Sequence, residues 1–213
     1  MPDVANAADM RQVDLRRGYV DALNSLQTGT YKGSGDIIDY SLYDRVDMLS
    51  TVLQHHLFQA GIGQNDPAGN PKTRADTNVQ GSNAIPVGSK LYVNALKVMY
   101  TSTDAAVTAA ILNNWQEMVE QTTVTFEIQG KANYGSWKLN ELFGIPYAAP
   151  LIEAGLQAPS LGRFLGIYPL NLPIVLAQQV SFEVFIEHHA APTDTLDGDW
   201  LTVSLCGILE RLS

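Results

Sequence analysis

The chain has a single cysteine, Cys206, among its 213 residues. No intramolecular disulfide can form, so a packed core must hold the fold. Charge is also scarce. Asp, Glu, Lys and Arg make up 16% of the residues, against about 25% in an ordinary soluble domain. The charge present leans acidic, 22 against 13, for a formal net charge of −9. A surface that neutralises phosphates is therefore not expected, and neither is direct nucleic-acid binding. No run approaches the ~18 apolar residues of a membrane-spanning helix. The opening MPDVANAADM has neither a basic leader nor an apolar stretch, so no secretory signal is expected.

Catalytic signatures are missing too. There is no Gly-x-Ser-x-Gly elbow. Gly33-Ser34-Gly35 and Gly61-Ile62-Gly63 lack the Lys-Ser/Thr that completes a phosphate loop, and read as turns.

Hydrophobic residues make up 46% of the chain, enough for a sizeable core. A surface poor in charge and rich in Ala, Gly, Asn, Gln, Ser and Thr suits a protein covered by neighbours. It suits a plain low-charge domain equally.

The clearest pattern lies in the last third. In Gln178–His188, Val180, Phe182, Val184 and Ile186 alternate with Ser181, Glu183 and Glu187. In Trp200–Leu212, Leu201, Val203, Leu205 and Leu209 share a face, with Thr202, Ser204 and Glu210 opposite. A period of two with one apolar face means antiparallel strands buried on one side. Cys206 falls on the face opposite Leu205 and reads as a packing residue. Asp197-Gly198 marks a turn before the final strand.

Upstream, Lys90–Thr101 reads as a strand whose apolar phase slips at Ala95-Leu96. The slip predicts a β-bulge or burial on both faces. Thr122–Lys131 reads as a strand with Val124, Phe126 and Ile128 inward. Ser102–Gln121 has the strongest helical pattern, with Ala105, Val107, Ile111, Leu112, Trp115, Met118 and Val119 on one stripe. The second half of Val46–Ala60 reads as strand. Gln64–Asn83 reads as a long polar loop or a very irregular hairpin, and Asn133–Pro173 as loop-rich, broken by Pro146, Pro150, Pro159, Pro169 and Pro173. Ala8–Leu26 carries a partial helical stripe, followed by the glycine-rich Gly29–Gly35. The chain thus divides into an N-terminal arm, residues 1–45, and one β-domain, residues 46–213.

Candidate chemistry is sparse. The histidines form two adjacent pairs, His55-His56 and His188-His189. Neighbours on a strand point to opposite faces, so neither pair alone supplies two ligands to one ion. His55 or His56 could join Glu187 and His189 if their strands are neighbours. The plain reading is solvent or interface histidines at strand ends, where they can make assembly pH-sensitive if those ends meet a subunit boundary. Glu127, Glu183 and Glu187 stand on outward faces and could flank a saccharide; the plain reading is the polar face of ordinary strands. Trp115, Trp137 and Trp200 are scattered across a helix, a loop and a strand start, which is weak support for a saccharide groove. No catalytic residue, metal ligand or cofactor is assigned.

The run Ile85-Pro86-Val87-Gly88-Ser89-Lys90-Leu91-Tyr92-Val93, the alternating Gln179–Ile186 and the closing Leu201–Leu212 resemble jelly-roll structural proteins of icosahedral bacteriophages. The resemblance covers roughly residues 80–213 and is one of texture, without a diagnostic motif. It implies an antiparallel β-sandwich or jelly roll. The helix at about 103–121 would be an insertion, and a partly helical arm would precede the domain. It further implies a non-enzymatic virion protein, assembled in the host cytoplasm from copies of itself and other virion proteins. Its acidic charge fits contact with an internal membrane or a protein layer better than with a genome. The alternative is a glycan- or receptor-binding β-sandwich of a spike or tail, with Gln64–Asn83 as its contact loop.

Overall fold

A computed structural model describes residues 36–48, 52–66, 69–81, 85, 87–101, 119–128, 131–143, 163–178, 180–189 and 200–211. The expected N-terminal helix lies outside these residues. So does the helix expected at 103–121, apart from Val119–Gln121, which are helical.

The protein is mainly β. Its strands are β1 (Asp36–Asp47), β2 (Gln54–Leu57), β3 (Ser89–Thr101), β4 (Thr122–Ile128), β5 (Lys131–Lys138), β6 (Arg163–Leu176), β7 (Phe182–His188) and β8 (Trp200–Arg211). One short helix, α1 (Leu139–Phe143), follows β5. Two four-stranded sheets form, in the orders β1-β8-β3-β6 and β2-β7-β4-β5. All pairings within them are antiparallel.

The inner faces of both sheets feed one core. Leu42, Leu91, Val93, Leu96, Val98, Tyr100, Leu201, Val203 and Leu205 come from the first sheet. Leu57, Val124, Phe126, Phe182, Val184 and Ile186 come from the second. Two amphipathic sheets hide their apolar faces by packing against each other, which gives a β-sandwich.

The phase slip in β3 is a bulge. Val93 pairs with Gly207 and Ala95 with Cys206, so Asn94 is an extra residue. Gly207 stands opposite. A Cβ there would sit 1.8 Å from the Tyr92 carbonyl oxygen.

Two expectations need correction. The boundary after residue 45 falls inside β1, whose residues 36–47 pair along their whole length with β8. The segment 133–173, expected as loop-rich, contains most of β5, all of α1 and most of β6. Pro169 and Pro173 lie within β6, which pairs with β3 alone. An edge strand tolerates residues that cannot donate to a ladder, and here Leu170–Pro173 stands out of register with β3. The polar stretch 64–81 is closer to the irregular hairpin, and it is pinned at several points. Asn65 bridges Pro71, Thr77 bridges Asp44, and Asn78 binds the backbone of Ser41 and Tyr43.

Candidate functional site

Strand register brings several of the candidate residues together on the second sheet. On its outer face, Glu183 of β7 stands directly opposite Glu127 of β4. The next row across the sheet is His56, Phe185, Thr125 and Ser136. The row after that is Gln54, Glu187, Thr123 and Lys138. Two opposed carboxylates repel unless something compensates them. Gln59 does so in part: its Nε2 donates to Glu183 Oε2 and lies 3.2 Å from His56 Nδ1. His56 Nδ1 is 3.5 Å from the same carboxylate oxygen, and its ring meets Phe185 edge-on. Beside this network lies a cavity of about 370 Å³, lined by His56, Gln59, Gln64, Asn65, Asp66 and Lys72.

The other two histidines behave differently. His189 is exposed. His55 and His188 both point inward, and both are buried. Both do sit at strand ends, His188 closing β7 and His55 second in β2, but neither faces solvent. The inward phase of β7 simply continues from Ile186 to His188. Their rings meet edge to face, with centroids 5.5 Å apart. His188 Nδ1 lies 2.7 Å from the Thr122 hydroxyl. His55 Nε2 is buried without a hydrogen-bond partner. Burial, then the positive neighbours His188 and His56, push the His55 imidazole down to about 4. Burial lowers His188 as well. The pair gives two nitrogen-bearing side chains, not the three or four ligands of a metal centre. Among the described residues, no group of three His, Cys, Asp or Glu is placed to hold an ion.

The strongest polar cluster was not visible in the sequence. Asp44 of β1 is fully buried, yet carries a carboxylate. Lys72 Nζ reaches it from 28 residues away. The backbone N–H of Phe58 donates to Asp44 Oδ2 at 2.6 Å, and that of Arg45 to Oδ1 at 3.1 Å. Burial raises the carboxyl above its ordinary range, against the pull of Lys72, the Phe58 N–H and the Thr77 hydroxyl. Phe58 itself has a φ of 69°. A bulky residue adopts that conformation only when its surroundings enforce it. Here the Asp44 bond and the packing of the Phe58 ring on Phe182 do so. The cluster ties β1, β2 and the 59–81 segment into one unit.

Trp137 packs its ring against Tyr168 on the core side, while Trp200 carries the Arg45 guanidinium 4.1 Å above its ring. Trp115 lies outside the described residues. Cys206 is half-buried on the outer face of β8, 3.5 Å from the Ser41 hydroxyl.

No family model and no curated protein matches the chain. Among solved structures, it is similar to the catalytic domain of a GH87 α-1,3-glucanase in complex with nigerose, at 12% identity and a TM-score of 0.18. A variant of that domain, also with nigerose, gives the same two values. The alignment covers 85% of this chain but spans 28% of the other. A likeness at that level carries no argument about fold or activity.

No helix among the described residues is long and apolar enough to cross a membrane.

Proposed function

We propose that the chain is a jelly-roll structural protein of a virus particle, assembling through copies of itself into an icosahedral shell. The order of pairing carries this reading. β1 pairs with β8, β2 with β7, β3 with β6 and β4 with β5. Those are the partners in one long hairpin folded over on itself, and they support a jelly roll of two Greek keys. Viral capsids, lectins and cupins share that architecture, so fold alone does not choose among them.

The surface supports assembly. Charge is low, and large apolar side chains stand in solvent: Val87 at 72%, Ile167 at 62%, Leu53 at 49% and Leu172 at 39% exposure. Ile167 and Leu172 belong to β6, an edge strand of the first sheet. Among the described residues β6 pairs on one side only, and an apolar edge strand is a template for a neighbouring chain. Residues 1–35 would supply an arm to that neighbour. Other virion proteins, an internal membrane or a protein layer would be further partners.

Size-exclusion chromatography with light scattering, followed by negative-stain microscopy, tests the reading. Shells, rings or closed oligomers that disperse on changing Ile167 and Leu172 to Glu support it. A monomer at every concentration tried refutes it.

A further inference from the structure

The outer face of the first sheet carries a groove of about 480 Å³. Register builds it row by row. Tyr43, Ser204 and Lys97 stand side by side across β1, β8 and β3. Arg45, Thr202 and Met99 form the next row, and Asp47, Trp200 and Thr101 the one after. Arg74 and Ala75 of the 59–81 segment complete the lining. That segment is held in place. The Tyr43 hydroxyl donates to the Arg74 carbonyl oxygen at 2.5 Å, and Asp76 takes both Arg45 and the Thr73 hydroxyl.

Three of the chain's 13 basic residues thus line one groove of an acidic protein. Arg45 is engaged, by Asp76 at 2.5 Å and by the Trp200 ring beneath it. Arg74 and Lys97 are not. Among the described residues, neither side chain makes an ion pair or a hydrogen bond. The two carboxylates nearest in the register and the loop are occupied: Asp76 by Arg45, and Asp47 by an interaction of its own. Two cations without an ion pair among the described residues thus share a lining with Ser41, Tyr43, Thr101, Thr202 and Ser204, of which Tyr43 donates its hydroxyl to the Arg74 carbonyl and Ser41 sits beside Cys206. Trp200 and Met99 add apolar surface at one end.

We propose that this groove binds an acidic saccharide, with its carboxylate held by Lys97 and Arg74 and its ring set beside Trp200 and Met99. Cations pair with carboxylates through charge-assisted hydrogen bonds. Protein hydroxyls both donate and accept, which matches the hydroxyls of a sugar. The volume falls in the range of about 300–1,000 Å³ typical of small-ligand sites. An acidic peptide would use the two cations but leave the hydroxyls of Thr101, Thr202 and Ser204 facing its apolar stems. The site does not depend on assembly: it is complete within one chain, and its failure would leave the shell reading untouched.

Calorimetric titration of the full chain with trigalacturonate and with 3′-sialyllactose tests the proposal. Methyl-esterified trigalacturonate and lactose serve as neutral counterparts, and tri-glutamate and sodium sulfate as other anions. We expect at least one acidic saccharide to bind, and its neutral counterpart to bind about tenfold more weakly or worse. Lys97→Gln or Arg74→Gln should cost about tenfold in affinity, since each removes one charge-assisted contact. Affinity should also fall as salt rises from about 50 to about 500 mM. Arg74 is exposed and Lys97 half-buried on a surface strand, so both variants should melt like the parent. Failure of both acidic saccharides to bind overturns the proposal, as does binding that neither substitution weakens. Equal binding of tri-glutamate would make this a peptide site, and equal binding of sulfate a simple anion site; either result also overturns it.

Discussion

Lys72 Nζ lies 2.6 Å from Asp44 Oδ1 and 2.7 Å from Oδ2, with both side chains buried. Removing one partner strands the other charge away from water. Lys72→Met is therefore expected to destabilise the fold by about 3–5 kcal/mol. The double variant Asp44→Asn, Lys72→Met removes both charges and keeps an acceptor for the Phe58 N–H. It should recover much of that loss. Urea unfolding of the four species closes the cycle. If the double variant is no more stable than Lys72→Met alone, the loss does not come from an uncompensated charge.

Gly207 is demanded by the approach of β3 at its bulge. The atoms a Cβ would meet are all backbone: the Tyr92 oxygen at 1.8 Å, the Tyr92 carbonyl carbon at 2.8 Å and the Val93 Cα at 3.0 Å. None can move without parting β3 from β8. Gly207→Ala should cost about 3 kcal/mol or more. Gly81 has nothing within 4 Å of its would-be Cβ. Gly81→Ala should change stability by no more than about 0.5 kcal/mol. Thermal melts of the two variants side by side make the comparison. Equal melting temperatures would show that β3 and β8 can separate at little cost.

The buried histidine pair makes stability depend on pH. His55 is held near 4 when folded, and His188 is lowered too, against about 6.5 in an unfolded chain. The unfolded state thus binds more protons across that interval, so stability falls as pH drops below about 6.5. The loss is complete once pH passes below the folded values. His55 should account for about 1–3 kcal/mol of it. A proton on its Nε2 would find no hydrogen-bond acceptor. The charged neighbours that would oppose protonation are His188 and His56. In His55→Leu, the slope of stability between about pH 6.5 and 4.5 should be shallower than in the parent. Identical slopes in chemical denaturation at several pH values would remove His55 as the cause.

Legibility followed burial. β7, β8, β4 and the bulge of β3 were readable because each has one wet face and one dry face, which writes alternation into the residues. β1 was not, because its inward face carries Asp44 amid Leu42 and Val46. A buried charge breaks the pattern that marks a strand, and its partner lies too far along the chain to be guessed. β6 hid behind Pro169 and Pro173, which only an edge position excuses. Of the candidate site residues, Glu183, Glu127 and His56 do meet on one face. His55 and His188 moved from surface to core.

By itself the sequence determined that antiparallel strands with one apolar face would pack into a mainly β protein without disulfide support. Period and composition are local properties, and a local reading recovers them. The tertiary structure alone decided that β1 closes on β8, that Asp44 finds Lys72, and that Arg74 and Lys97 share a groove with Trp200. Each of these joins residues far apart in the chain. Register and strand order bring them together, and those depend on burying every apolar face at once.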